Sequence, residues 1–111
     1  MSLETQSRLS QQTCIDACTE CMIACEHCLA AMAGQASGND CPRCCLECAA
    51  MCNLCARFMA WESEHAAALC RICAQVCEWC AEQCGEHDHD HCRRCAEACT
   101  RCAAECRRMT G

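Results

Sequence analysis

Aromatic residues are nearly absent from this sequence, which has no Tyr, one Phe and two Trp in 111 residues. It therefore lacks the aromatic platforms on which proteins stack single-stranded nucleic acid. All nine basic residues are Arg, and the formal net charge of −6 disfavours nucleic acid and anionic membranes as partners. No apolar run approaches the ~18 residues of a membrane-spanning helix. The first residues also lack the basic and apolar regions of a signal peptide, so we expect a cytoplasmic protein.

Glycine and proline are also scarce, with four residues and one residue, whereas Cys accounts for 21 of the 111 residues. Disulfide-stapled domains are typically small, secreted and loop-rich, and an odd number of Cys cannot pair completely. Cytoplasmic thiols are normally kept reduced. We therefore expect free thiols rather than a disulfide scaffold.

All Cys residues except Cys44 follow one repeat, in which steps of three and four residues alternate. With 3.6 residues per turn, this spacing places the side chains in a single stripe along an α-helix. Four such stripes are present, and in a helical bundle they would face the centre. The stripes are Cys14, Cys18, Cys21, Cys25 and Cys28; Cys41, Cys45, Cys48, Cys52 and Cys55; Cys70, Cys73, Cys77, Cys80 and Cys84; and Cys92, Cys95, Cys99, Cys102 and Cys106.

The residues between the Cys also favour helices, because Ala, Glu, Arg, Gln, Leu and Met dominate them. Turns are indicated at 34–40, 61–66 and 85–91. Short connections between helices of ~20 residues imply antiparallel neighbours. We therefore predict an all-α, up-down-up-down four-helix bundle with a Cys-lined core, forming a single domain over 1–111, with room for a short extra N-terminal helix before Thr13.

A core lined with thiols indicates metal binding rather than ordinary packing, for which Leu, Ile or Ala would serve without inviting oxidation. Iron–sulfur clusters are held by Cys on loops that wrap the cluster, which the continuous helical spacing does not match. Zn²⁺ could be bound by four thiolates from the four helices and stays open as an alternative. Cu(I) fits better, because it prefers thiolate and thioether ligands and two Cys one turn apart could hold it.

Charge and multiplicity favour a store of Cu(I). A Zn²⁺ ion with four thiolates leaves a net charge of −2 that accumulates along a narrow core, whereas one Cu(I) per thiolate leaves the core neutral. The soft-ligand preference then predicts a capacity between roughly ten and roughly twenty ions. So many sites indicate storage and not an enzyme, because a catalytic metal needs one open site. A thiol redox protein would need an exposed Cys with a lowered pKa, and no CxxC here has that context.

The four consecutive Cys-rich segments from Cys14 to Cys106, with the His-rich turn at 87–91, resemble the four-helix-bundle copper storage proteins, a family of small bacterial Cys-rich proteins. The absence of a signal peptide resembles the cytosolic branch of that family. The resemblance implies a tetramer of bundles that each hold many Cu(I) ions, with His residues at one mouth assisting uptake. A copper chaperone or a small thiol would then be the Cu(I) donor.

The antiparallel topology places the turns 34–40 and 85–91 at one end of the bundle and the turn 61–66 at the other. We expect the first end, which also carries Asp40, to be the metal entrance, and the second to be a closed plug. Additional ligand candidates, with the His in decreasing order, are His91, His89 and His87, followed by Met32 at the entrance and Cys44 beside its stripe. The expected plug consists of Leu9, Phe58, Met59, Trp61 and Met109.

Several apolar residues of the second and third helices point roughly 100° to 160° away from the Cys stripes, at 100° per residue. Apolar side chains on the outer face of a bundle are typical of an interface between protomers. The predicted interface residues are Leu54, Trp61, Ile72 and Trp79. His27 and His65 lie off the stripes, and we expect them on the surface.

Overall fold

The computed structural model describes residues 2–110, which form four helices. They are α1 (Leu3–Met32), α2 (Arg43–Ala60), α3 (Ala66–Gly85) and α4 (Asp90–Thr110). Both α1 and α3 pack against α2 and α4. Cys14 contacts Cys106 and Cys28 contacts Cys92, so α1 and α4 run antiparallel. The all-α, up-down-up-down bundle is thereby confirmed. No helix within the described range is both long and apolar enough to cross a membrane.

The first helix is longer than the sequence predicted. It begins at Leu3, where Ser2 Oγ accepts a hydrogen bond from the backbone N–H of Thr5 (3.1 Å), and it continues without a break to Met32. The short extra helix for which the sequence left room before Thr13 is not a separate element, because the helix-forming residues of this segment extend α1 instead. At 1.5 Å per residue, α1 spans about 45 Å and α4 about 32 Å. The first turns of α1 consequently project beyond the bundle.

The connection between α1 and α2 is fastened to the C-terminal part of α3. Asn39 Nδ2 donates a hydrogen bond to the carbonyl oxygen of Gln83 (2.9 Å), and Asn39 Oδ1 accepts the backbone N–H of Cys41 (3.0 Å). The Trp79 indole N–H donates to Asp40 Oδ2 (3.0 Å). Cys41 thus lies in this connection, before α2 begins, and not on the helix as its spacing predicted. Its side chain is nevertheless buried with the other Cys.

The core consists almost entirely of Cys. All 21 Cys side chains are 1% exposed or less, and the other buried side chains in the described range are two Met and five Ala. None of the buried side chains is polar or charged. Such small side chains form fewer dispersion contacts than Leu or Phe would, so the core alone stabilises the bundle weakly.

Replacing Gly34 with Ala is expected to lower the free energy of unfolding of the metal-free protein by about 1 kcal/mol. Gly34 follows α1 with φ +80°, and an added Cβ would meet no atom within 4 Å, so only backbone strain opposes the change. Gly38→Ala is the matched control, because Gly38 has the same open space and no left-handed φ. Thermal unfolding of the reduced proteins should show a lower midpoint for Gly34→Ala alone, and equal midpoints would contradict the prediction.

Candidate metal centre

All the Cys residues are free thiols, and their burial places every predicted Cys ligand in the core. Cys44 is included: its Sγ lies 3.9 Å from Cys84 Sγ, which Cys45 Sγ also approaches to 3.5 Å. The sequence does hold a signal for this position. Cys44 follows Cys41 by three residues and precedes Cys48 by four, so it shares the helical stripe with Cys45.

Sulfur atoms contact one another along the length of the bundle. The contacts join neighbouring helices and also cross the centre diagonally, as between Cys45 Sγ on α2 and Cys95 Sγ on α4 (3.8 Å). Contacts of 4.0 Å or less link nineteen of the Cys into one continuous chain of sulfurs, and a contact of 3.6 Å joins the other two, Cys55 and Cys70. An ion bound anywhere in this chain therefore has further sulfurs beside it.

Groups of four thiols, drawn from three or four helices, have their sulfur atoms within 4.8 Å of one another. Neighbouring groups overlap: Cys21, Cys25, Cys95, Cys99 and Cys102 each belong to two of them. A thiolate shared in this way can bridge two metal ions. Five of the groups are Cys18, Cys73, Cys102 and Cys106; Cys21, Cys52, Cys77 and Cys102; Cys21, Cys25, Cys48 and Cys99; Cys25, Cys80, Cys95 and Cys99; and Cys28, Cys45, Cys84 and Cys95.

The spacing of the sulfurs suits a metal, and the charge of the core distinguishes between metals. A metal–thiolate bond of about 2.3 Å separates the sulfurs of a tetrahedral or trigonal site by about 3.8 to 4 Å, and the Sγ–Sγ contacts here run from 3.5 to 4.0 Å. Both Zn²⁺ and Cu(I) meet that condition. However, no cationic side chain is buried in the described part of the chain. The negative charge of several Zn²⁺–thiolate groups would therefore stay uncompensated.

In the metal-free core, the protonation of the thiols depends on burial and on thiol neighbours. Burial raises the pKa of Cys41 to about 11, and it also raises the pKa of Cys92. Hydrogen bonds from Cys45 and Cys84 lower the pKa of Cys28 to about 6, because they stabilise its thiolate. Metal binding displaces the thiol protons, so metal affinity should fall as the pH falls.

Three His rings form a stacked column at the end of the bundle where α4 begins, here called the histidine end. The ring centroids of His89 and His91 are 5.1 Å apart, and those of His87 and His89 are 6.1 Å apart. His91 Nδ1 lies 3.4 Å from Cys28 Sγ and 3.5 Å from Cys92 Sγ. The structure thus brings His91, the first of the predicted His ligands, to the thiols. The rings of His89 and His87 continue the column outward.

Two other residues expected at this end form no hydrogen bond with a thiol in the described range. Met32 is 1% exposed and so lies in the core, where its role as a ligand stays a prediction. The carboxylate of Asp40 is engaged by the Trp79 indole instead. Sequence reasoning missed Asn39, whose Oδ1 lies 2.8 Å from His87 Nε2 and so helps to position the column. An Asn in a predicted turn gave no sign of that role.

The opposite end is covered by fewer residues than predicted. Met59 is 1% exposed and Phe58 and Met109 are half-buried, whereas Leu9 and Trp61 are 53% and 60% exposed. Leu9 lies on the projecting part of α1 and does not cover the core. Trp61 packs on the surface against Phe58, with 5.2 Å between the ring centroids. The prediction of a plug was therefore wrong for these two residues.

The predicted interface residues divide into two kinds. Leu54 and Ile72 are 39% and 49% exposed on α2 and α3. Trp79 is half-buried, and its hydrogen bond to Asp40 gives it a place in the protomer itself. The surface positions predicted for the remaining His residues, His27 and His65, agree with their exposure.

Solved copper storage proteins share this arrangement. The structure is similar to apo copper storage protein 3 from Bacillus subtilis, with a TM-score of 0.84 and 44% identity, covering 90% of this chain and 98% of that chain. The Cu(I)-bound copper storage protein BsCsp3 has a TM-score of 0.87 and 40% sequence identity, and the match covers 92% of this chain and 99% of that chain. A cytosolic copper storage protein from Streptomyces lividans, described with five coppers, has a TM-score of 0.86 and 31% sequence identity, and the match covers 93% of each chain.

The sequence alone also matches the copper storage proteins. The pattern that defines the copper storage proteins matches residues 7–111, which includes every Cys. Two of these structures are described with copper, which gives the zinc alternative no support. The chain belongs to the copper storage protein family.

Proposed function

We propose that this protein stores Cu(I) in the cytoplasm, holding many ions with the thiolates of its core. The observation that carries the proposal is the continuous chain of sulfurs, in which four-thiol groups share members. Shared thiolates allow neighbouring sites to fill in succession, so that one core holds many ions. The related structures, described as Cu(I)-bound and as cytosolic, support both the metal and the location.

The burial of the thiols supports storage rather than catalysis. A catalytic metal keeps a coordination position open to a substrate. Here each Cys side chain is 1% exposed or less, and the space between the helices is filled by sulfur. A substrate would have no room beside a metal held in this core, whereas further metal ions would find ligands in every direction.

Uptake through the histidine end is the second element of the proposal. Imidazole nitrogen binds copper, and thiolate is the softer ligand that Cu(I) prefers. An ion bound at His91 would therefore pass to Cys28 and Cys92, which the ring contacts. Exchange between thiolates would then carry it along the chain of sulfurs. A copper chaperone or a small thiol would supply the ion.

The third element is association of identical chains into an oligomer. The family resemblance implies that this oligomer is a tetramer. Leu54, Trp61 and Ile72 leave large apolar side chains exposed on α2, directly after α2 and on α3. Apolar side chains grouped on one face are typical of contact surfaces between subunits. We place the interface on the faces of these two helices.

The reduced, metal-free protein is expected to take up roughly ten to roughly twenty Cu(I) ions per chain. Each thiolate neutralises a Cu(I) charge without the excess negative charge that Zn²⁺ would leave. Anaerobic titration against a coloured Cu(I) chelator measures the capacity, and a parallel Zn²⁺ titration is the control. Saturation at one or two copper ions, or tighter binding of Zn²⁺ at equal capacity, would refute storage of Cu(I).

Replacing His91 with Ala is expected to slow Cu(I) uptake roughly tenfold, as loss of a supporting group at a metal site does, with nearly unchanged capacity. His65→Ala is the matched control, because His65 is exposed and adjoins the start of α3, at the opposite end. Stopped-flow transfer from a coloured Cu(I) complex measures the rates. Equal rates for the two variants would show that uptake does not depend on the histidine end.

Replacing Leu54 and Ile72 together with Glu is expected to dissociate the oligomer, because charged side chains would be buried at its interface. Ile23→Glu is the control, since Ile23 is 47% exposed on α1 and Ile72 is 49% exposed on α3. Trp79 is left intact, because its bond to Asp40 belongs to the fold. Light scattering after size-exclusion chromatography measures the mass. A native mass for the double variant would contradict this interface.

A further inference from the structure

Cys55 and Cys70 pair with each other at one end of the sulfur core. Their Sγ atoms are 3.6 Å apart. In addition, Cys70 Sγ donates a hydrogen bond to the thioether Sδ of Met59 (3.8 Å). These three side chains come from the end of α2 and the beginning of α3, at the end of the bundle opposite the histidine end.

Three soft donors at these distances suit one Cu(I) ion. Metal–sulfur bonds of about 2.3 Å place the donors of a trigonal site about 4 Å apart, close to the 3.6 and 3.8 Å found here. Cys55 and Met59 are four residues apart on α2 and therefore share a face of the helix. A thioether adds a third ligand without adding negative charge, which a third thiolate would.

The burial of Met59 alone does not explain its contact with a thiol. Met32, at the histidine end, is equally buried at 1% exposure, yet its sulfur forms no hydrogen bond with a thiol in the described range. Met59 also lines a cavity of about 230 Å³, together with Cys70 and Met109. The cavity therefore adjoins two of the three sulfur-bearing side chains, Met59 and Cys70, at the end opposite the histidines.

We propose that Met59 is a metal ligand and that Cys55, Cys70 and Met59 together hold one Cu(I) ion at this end. The inference rests on the proposed function in requiring that the core binds Cu(I). It adds a thioether ligand from this chain to the thiolates of the core. It also gives Met59 a chemical role that its place in the sequence, at the end of a helix, does not reveal.

Methionine labelled with ¹³C at the ε-methyl carbon tests the proposal in the wild-type protein, whose chain contains six Met. During anaerobic titration with Cu(I), the Met59 methyl signal should shift as its sulfur is coordinated. The signals of Met51, half-buried on the same helix, and of Met32 should shift less. The variants Met59→Leu and Met51→Leu assign the two α2 signals and preserve the size of each side chain.

A second variant, Cys55→Ala with Cys70→Ala, should abolish the Met59 shift while the remaining thiols still bind copper. An unmoved Met59 signal in copper-loaded wild-type protein would overturn the proposal and leave storage intact. Equal shifts of Met59 and Met32 would overturn it as well, because tightening of the whole bundle would then explain both. Persistence of the Met59 shift in the double variant would show that the two Cys are not its partners. Absence of any Cu(I) binding would instead refute the storage function itself.

Discussion

The close approach of thiols in a core without buried cations is the constraint on which the rest of the structure depends. Sulfur atoms 3.5 to 4.0 Å apart cannot all be thiolates in a medium of low dielectric constant. They are compatible with one another only as neutral thiols that bond among themselves, or as thiolates neutralised by metal. The buried side chains offer no third way to balance the charge. The core can therefore exchange protons for monovalent ions while its net charge stays nearly constant.

This exchange links metal binding to the stability of the fold. The metal-free bundle has a core of Cys, Ala and two Met, so it gains less from apolar packing than a core of Leu and Ile would. Helix-forming residues, and the hydrogen bonds of Asn39 and Trp79 that fasten the first connection, compensate for part of that deficit. Metal ions held by several helices at once add crosslinks that the unfolded chain lacks, so loading should stabilise the bundle by mass action.

Most of the fold and of the thiol core could be predicted from the sequence, because the alternation of three- and four-residue steps fixes one face of each helix. The pattern fails where the chain leaves helical geometry or where two stripes overlap. Cys41 is buried from a turn, and Cys44 is buried beside Cys45 on the same stripe. The contacts that organise the turn depend on Asn39 and Gln83, whose residue types are common in any loop or helix. The spacing of the Cys also does not show that α1 projects beyond the bundle. This projection places Leu9 away from the end that it was predicted to cover.

The two ends of the bundle differ in the chemistry of the ligands added to the thiols. At the histidine end the donor beside the thiols is an imidazole nitrogen, His91 Nδ1, which lies 3.4 Å from Cys28 Sγ. At the other end it is the thioether of Met59, which carries no proton at any ordinary pH. Protons therefore compete with copper for the thiols but not for the thioether. Acidity would weaken metal binding through the thiols, while Met59 would remain a competent ligand.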